Sequence, residues 1–239
     1  MKTITKQRVL LANKYFYIKG GAENSYFETA RLLEQHGHPV VHFSMRDSRN
    51  KHSPYDEYFI NKRDYEHNGF GSKISDAINL LYSFDARKQI RKLINDTRPE
   101  IAHLNNIYHQ ISPSIIHELK RFGIPVVMSL RDYKMVCGSY MLLREGQVCE
   151  ACKGGRYHHG FLKKCHKSSR FISGLLTLEM YLHHRLLRIY DLVDYCIAPS
   201  RFLMNKVRDM GFKGRIAHIP NFVPVDQFLI RLLIQVGLP

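Results

Sequence analysis

The chain has 239 residues, 44% of them hydrophobic, enough for one large domain or two small ones with a real core. Lys and Arg number 36 against 21 Asp and Glu, for a formal charge of +15, which favours acidic partners such as phosphorylated substrates, nucleic acid or an anionic membrane face and says nothing about fold. No apolar run approaches bilayer-spanning length, and Val9–Ala12 is too short for a signal-peptide core. These features, with cysteines too tightly spaced for a secreted disulfide framework, predict a cytoplasmic protein with room for peripheral contact at the inner membrane face.

Val9 to Ala12 reads as a first buried strand. Lys19-Gly20-Gly21-Ala22-Glu23 follows and opens a helical pattern through Ala22, Tyr26, Ala30 and Leu33. Strand, glycine turn and helix together aim backbone N–H groups at an anion, and glycine lets a phosphate or sugar approach the chain. Glu23 falls in the first turn, where a carboxylate suits the helix dipole. The plain alternative is that the two glycines merely serve the turn. His36-Gly37-His38-Pro39 stops the helix, and Val40 to Phe43 is the next strand.

Residues 46–72 read as a long surface loop with a short helix in it. Ile74, Ala77, Ile78, Leu81 and Phe84 restore helical spacing, which Ile90, Leu93 and Ile94 extend or repeat before Pro99. Ile101 to Leu104 is a strand ending at Asn105-Asn106. Ser112-Pro113 predicts a helix start, with Ile115, Ile116, Leu119 and Phe122 as the buried face, and Pro125 to Leu130 is the next strand. After the insertion at 137–169, Phe171, Ile172, Leu175, Leu178, Leu182, Leu186 and Ile189 form the apolar stripe of one long helix. Tyr195 to Ala198 is a strand, Pro199-Ser200 caps a helix with Phe202, Leu203, Val207 and Met210, and Arg215 to Ile219 is the last strand. Strands and helices alternating at this spacing predict an α/β fold, a Rossmann-like parallel sheet flanked by helices on both faces. Ligands then sit beyond the carboxyl ends of the strands, where this chain carries Gly20-Gly21, His103 with Asn105 and Asn106, and Arg131-Asp132.

The insertion holds Cys137, Cys149, Cys152 and Cys165. The Cys149-x2-Cys152 knuckle supplies two soft ligands, and two distant cysteines could close a structural zinc site; free or redox-active thiols and a disulfide are the other readings. Cys196, in a strand pattern, reads as core. Asp132 follows a strand and either orients a hydroxyl, acts as a base or caps a helix, while Arg131 binds phosphate or pairs with Asp132. His103 is a core residue or a catalyst. His158-His159 and His183-His184 read mainly as surface. Lys163, Lys164, Lys167 and Arg170, near Tyr157 and Phe161, form the most basic stretch, facing phosphate, acidic lipid or water. The charge alone suggests nucleic acid, and no helix-turn-helix or aromatic RNA motif supports it.

The order of these elements, with Gly20-Gly21-Ala22-Glu23, His103-Leu-Asn-Asn before Ser112-Pro113, and Arg131-Asp132-Tyr133, resembles the N-terminal half of a family 4 glycosyltransferase. Tyr133 to Cys137 followed by Glu145 to Gly155 is similar to an insertion in a bacterial subgroup that builds surface polysaccharides. The likeness runs from about Val9 to Phe228. It implies half of a GT-B architecture: residues 1–225 as the acceptor-binding domain, 226–239 as the start of a linker or tail, and a C-terminal donor domain with its Glu-x7-Glu motif absent from this chain. The implied reaction is retaining transfer from a nucleotide-sugar to a glycan or lipid-linked acceptor. It requires no metal, so any zinc would be structural, and the isolated chain is expected to be inactive. The Gly20-Gly21 loop and Glu23 would lie against donor phosphates and acceptor, with His103, Asn105 and Asn106 nearby. Asp132 would sit in the cleft, and Arg131 stands where many relatives have histidine. Ser200-Arg201 matches a cleft-facing corner. The competing expectation is a non-catalytic, zinc-stapled module for anionic glycan or lipid.

Overall fold

A computed structural model describes residues 5–62, 79, 81–166 and 168–222. The expected helical pattern at Ile74, Ala77 and Ile78, the last part of the 46–72 loop, Lys167, and the expected linker or tail at 226–239 lie outside the described residues.

Strands β1 (Val9–Ala12), β2 (Val40–Phe43), β3 (Ile101–Leu104) and β4 (Val126–Ser129) form one parallel sheet with the later strands β7 (Tyr195–Ala198) and β8 (Ile216–His218). The spatial order is β2-β1-β3-β4-β7-β8. The chain steps outward from β1 to β2 and then returns to the far side of β1, so the order reverses between β1 and β3. Crevices form at such a switch point. The strands are short apolar runs because a parallel sheet buries both faces.

Helix α1 (Gly21–Gln35) follows β1 and ends where Gly37 takes a left-handed φ of 82°. Helix α2 (Phe84–Thr97) is capped by Ser83, whose hydroxyl accepts from the Ala86 amide at 3.2 Å. Helix α3 spans Ile115–Arg121. The expected start at Ser112-Pro113 moves on because Ser112 has a left-handed φ of 72°; its hydroxyl instead accepts from the Ser114 amide. Glu118, fully buried, accepts from Arg87 and Arg91 and ties α3 to α2.

Residues 137–169 carry a small antiparallel hairpin, β5 (Leu143–Arg144) with β6 (Gln147–Val148), and a short helix α4 (His158–Leu162). The expected long helix is broken. Helix α5 covers Arg170–Tyr181, a π-helical turn follows at Leu182–Leu186, and Arg188 adopts a left-handed φ of 48°. Its apolar stripe is also on the wrong side for a core: Phe171, Leu178 and Leu186 are exposed, and the buried face carries Ser173, Leu176, Glu179 and Met180. Helix α6 (Arg201–Asp209) is capped by Ser200, whose hydroxyl accepts from the Leu203 amide at 3.1 Å, as its sequence predicts.

Alternate strand residues feed two cores. Leu10 and Ala12 join the larger one with Ile90 and Leu93 of α2, Ile115, Ile116 and Leu119 of α3, and Leu203 and Val207 of α6. Val9 and Leu11 join the smaller one, with Tyr26 and Ala30 of α1 and Phe16, Val40 and Phe59. Cys196 is buried in the larger core, as expected. The faces are therefore unequal. On the α1 side, register puts His42, Leu11, His103 and Val127 in a row, and Ser129 with its partner Ile197 lies two residues further along the same face. His103 and Ile197 there are only partly buried. That half-open strip of sheet is where the site lies.

Candidate functional site

The cleft is built on this strip. Its floor is His103, Ser129 and Ile197; one wall is Ser25 and Thr29 of α1, and the other is Pro199 and 219–222. Its volume is about 480 Å³, counted to the open mouth. Arg131, one residue past the end of strand pairing, leans into it. Its guanidinium donates through Nη1 to Asn221 Oδ1 at 2.9 Å and through Nη2 to Asn105 Oδ1 at 3.0 Å. Nε of Arg131 and Nδ2 of Asn105 are buried without hydrogen-bond partners. Arg131 lines the cleft and Asn105, which does not, is bonded to it; a buried donor left unused is costly unless an acceptor arrives. Burial holds the Arg131 pKa down, and the nearby Glu23 carboxylate pulls it back up.

The floor is polar but uncharged. His103 Nε2 and Ser129 Oγ are 2.8 Å apart. Burial, with a further push from Arg131, brings His103 down to about 4, so its ring is neutral at pH 7. Behind it the switch point is fixed by Asn13, fully buried, whose Oδ1 accepts from the Asn106 amide at 3.2 Å while the Lys14 amide donates to the Asn106 carbonyl at 2.9 Å. Asn106 therefore serves the scaffold, and Asn105 turns its side chain to Arg131.

Gly20 and Gly21 lie exposed at the head of α1. Gly20 is fully extended (φ −169°), a backbone any residue adopts, and a Cβ at Gly21 would meet nothing within 4 Å. The turn itself does not require these glycines. What they leave is clear space in front of the first amides of a fifteen-residue helix. Glu23 is buried beneath them.

Arg131 and Asp132 are neighbours in sequence and part company in space. Asp132 does not line the cleft; its Oδ1 accepts from the Lys134 amide at 2.8 Å, so it caps a turn and not a helix as its position had suggested. Burial raises its pKa against the opposing pull of Lys134, and its charge is felt by the buried Tyr108 and Tyr190. Lys134 is itself buried. Its Nζ donates to Glu179 Oε2 at 2.6 Å, joining the loop after β4 to α5. Ser200 is occupied by capping and exposed with Arg201; neither lines the cleft, although Pro199 does.

His183 and His184, expected at the surface, are inside. His183 is 1% exposed and its Nε2 lies 2.6 Å from the Leu81 carbonyl. The His184 ring packs on Tyr190 at 4.6 Å and Tyr157 at 5.3 Å. The π-helical turn widens the helix and swings both rings inward. The cleft residues absent from the sequence reading are Ser25, Thr29, Ser129 and 219–222. Ser25 and Thr29, four apart on one face of α1, were a usable signal; Ser129 was hidden in an apolar strand.

All five cysteines are free. Cys152 and Cys165 line a partly open pocket with Ser139, Tyr157 and His166, whose free space of about 10 Å³ holds no more than one water. Burial pushes the Cys152 thiol up to about 12, and Cys137, Cys165 and Cys149 all add to that rise, so the four thiols share one neighbourhood. Among the described residues no group of three or more His, Cys, Asp or Glu is arranged to hold a metal ion. The donor chemistry suits zinc while the side-chain arrangement is open.

No protein-family model matches the chain. A protein of Klebsiella pneumoniae described as an uncharacterized 42.6 kDa protein in cps region is 26% identical over 161 residues, which is 58% of this chain and 40% of that protein. The chain thus spans less than half the length of the curated relative it matches. Among solved structures, a sucrose-phosphate synthase from Thermosynechococcus elongatus is similar with a TM-score of 0.55 at 13% identity, over 98% of this chain and 53% of that one. A glycosyltransferase from Rickettsia africae gives a TM-score of 0.47 at 13% identity, over 99% of this chain and 51% of that one. At 0.55 the synthase likeness is one of fold: the six-stranded parallel Rossmann-like sheet flanked by helices is an architecture this chain shares with half of a longer protein.

Proposed function

We propose that residues 1–225 form the acceptor-binding half of a family 4, GT-B-type retaining glycosyltransferase acting in surface-polysaccharide synthesis, with the donor half supplied by a second domain. The observation that carries this reading is the unused Nε of the Arg131 guanidinium that lines the cleft, with the unused Asn105 Nδ2 on its hydrogen-bonded neighbour. Sucrose-phosphate synthase, by its name a sugar-transferring enzyme, supports it through shared architecture. In such a transfer the bond from the sugar C1 to the leaving phosphate breaks, and the bond to an acceptor hydroxyl forms on the same face. The hydroxyl proton leaves with the phosphate. A guanidinium and helix amides suit the charge that grows on that phosphate. The neutral His103–Ser129 pair suits the hydroxyls of a glycan or lipid-linked acceptor.

Calorimetric titration of nucleotide-sugars into the folded chain tests the division of labour. The expected result is no micromolar binding and no sugar transfer by the isolated chain. An amide NMR titration with a sugar phosphate is expected to move Gly20, Gly21 and Asn105 together, an effect lost in Arg131→Ala. Micromolar binding of a nucleotide-sugar would place the donor site in this half. Shifts confined to other residues would remove the cleft from the proposal.

We further infer that Cys137, Cys149, Cys152 and Cys165 hold one structural zinc ion, with no part in the chemistry. Metal analysis is expected to give about one zinc per chain, and chelation to lower the unfolding midpoint without altering the cleft. Zinc-free protein with all thiols free in native buffer would rule this out.

A further inference from the structure

Helix α5 is apolar on both sides, with Leu176 and Met180 buried. Its inward side carries Ser173 and Glu179, the latter held by Lys134, while its outward side carries Phe171 at 71% exposure and Leu178 at 54%, seven residues apart on one face. Helix α4 packs tightly along it. A Cβ on Gly160 would come within 2.9 Å of Thr177 Oγ1, and one on Gly174 within 3.3 Å of the Phe161 ring. That closeness leaves Phe161 and Leu162 exposed beside Phe171, as one apolar surface across the hairpin. A soluble helix normally turns such a face to the core. The sequence that forms this face is basic, while Glu145 and Glu150 share an open pocket with Lys163. No Asp or Glu occurs between Glu150 and Glu179, and Lys163, Lys164 and Arg170 flank the patch.

We propose that the α4–α5 hairpin docks on an anionic lipid bilayer. Phe161, Leu162, Phe171 and Leu178 enter the headgroup–acyl boundary, and Lys163, Lys164 and Arg170 meet the lipid phosphates. The charge selects this occupant. A second copy in two-fold contact would set the same cations against one another in a chain already at +15, whereas an acidic lipid surface neutralises them while burying the apolar residues. No helix among the described residues is long and apolar enough to cross a membrane, so the contact is with the surface. The inference stands apart from the sugar-transfer reading and can fail without it.

The test is sedimentation of the full chain with vesicles of phosphatidylglycerol or of phosphatidylcholine alone. Binding is expected to the former only, and to weaken steeply between 0.05 and 0.5 M salt through screening, conditions set on the order of the Debye scale. The double substitution Phe171→Ser/Leu178→Ser is expected to lower the vesicle partition constant by about tenfold or more, and Lys163→Glu/Lys164→Glu to lower it as well. Both pairs lie at the surface, so circular dichroism and the unfolding midpoint should not move. Failure to bind phosphatidylglycerol vesicles, or binding unchanged by Phe171→Ser/Leu178→Ser, overturns the proposal. So does a wild-type dimer that those substitutions dissolve while vesicle binding is absent, since the face then belongs to a second copy.

Discussion

The protein is expected to lose most of its stability between pH 6.5 and pH 4. His42, His103, His109 and His184 are held neutral by burial, with pKa values lowered to about 4, 4, 3 and 3. In the unfolded chain each returns to about 6.5. Between the two values the unfolded state binds more protons, so stability rises with pH there. It is fully present above pH 6.5 and drains as pH falls toward 4. Each ring accounts for roughly 3 kcal/mol by pH 4. Four of them together approach the whole margin of about 5–15 kcal/mol that a domain holds. Urea unfolding followed at successive pH values reads this directly. The expected free energy falls with a slope near four protons, and His42→Phe, in a ring cluster with Phe16 at 4.9 Å, is expected to remove about one of them. A profile flat from pH 7 to 4.5 would refute the assignment of neutral rings.

Lys134→Met is expected to cost about 3–5 kcal/mol, because it strands the fully buried Glu179 without its cation. The geometry explains the size. Lys134 Nζ lies 2.6 Å from Glu179 Oε2, and Lys134 and Glu179 are 1% and 0% exposed, so no water can take over for either partner. The Lys134 charge also holds the Glu179 pKa down against burial, with His109 and His183 adding to it. That contribution to stability is present above the unfolded carboxyl value and is lost as pH drops through the lowered folded one. The double variant Lys134→Met/Glu179→Leu removes both charges and is expected to recover most of the loss, since a well-packed apolar pair is often no worse than a buried ion pair. Denaturant midpoints of the two single variants and the double variant decide it. A single variant within 1 kcal/mol of wild type, or a double variant no better than the weaker single, would show that the pair is not the joint described.

The sheet was legible because its strands are local and apolar. Val9–Ala12, Val40–Phe43 and Ile101–Leu104 each carry their own pattern, and Ser200 announces α6 by a cap that needs only three residues. What escaped depends on contacts distant in sequence. Periodicity at Phe171, Leu178 and Leu186 marks a helix face without saying which way it points, and here a buried Lys134–Glu179 pair 45 residues apart turns it outward. The same ambiguity hid His183 and His184, whose inward turn follows from a π-helical widening that has no spacing rule. In the cleft, the residues at strand ends were visible, and Arg131 lies there. Its separation from Asp132 was not visible, because an extended chain sends adjacent side chains to opposite sides and only the neighbours decide which side holds the cleft. Ser129 was invisible for a related reason: its meaning comes from His103 on the next strand.

The clamp of Asn13 on the Asn106 amide has a further consequence for how the cleft meets a ligand. With the Lys14 amide on the Asn106 carbonyl, it joins the loops after β1 and β3 into one rigid piece whose conformational entropy is already spent before anything binds. The opposite wall is different: among the described residues, Asn221 is held there by one side-chain hydrogen bond, from Arg131. A ligand anion that takes over the guanidinium releases Asn221, and any force on the chain beyond Asn221 feeds back on the affinity for that anion by the same amount. One side of the cleft thus acts as an anvil and the other, the segment after β8, as a latch.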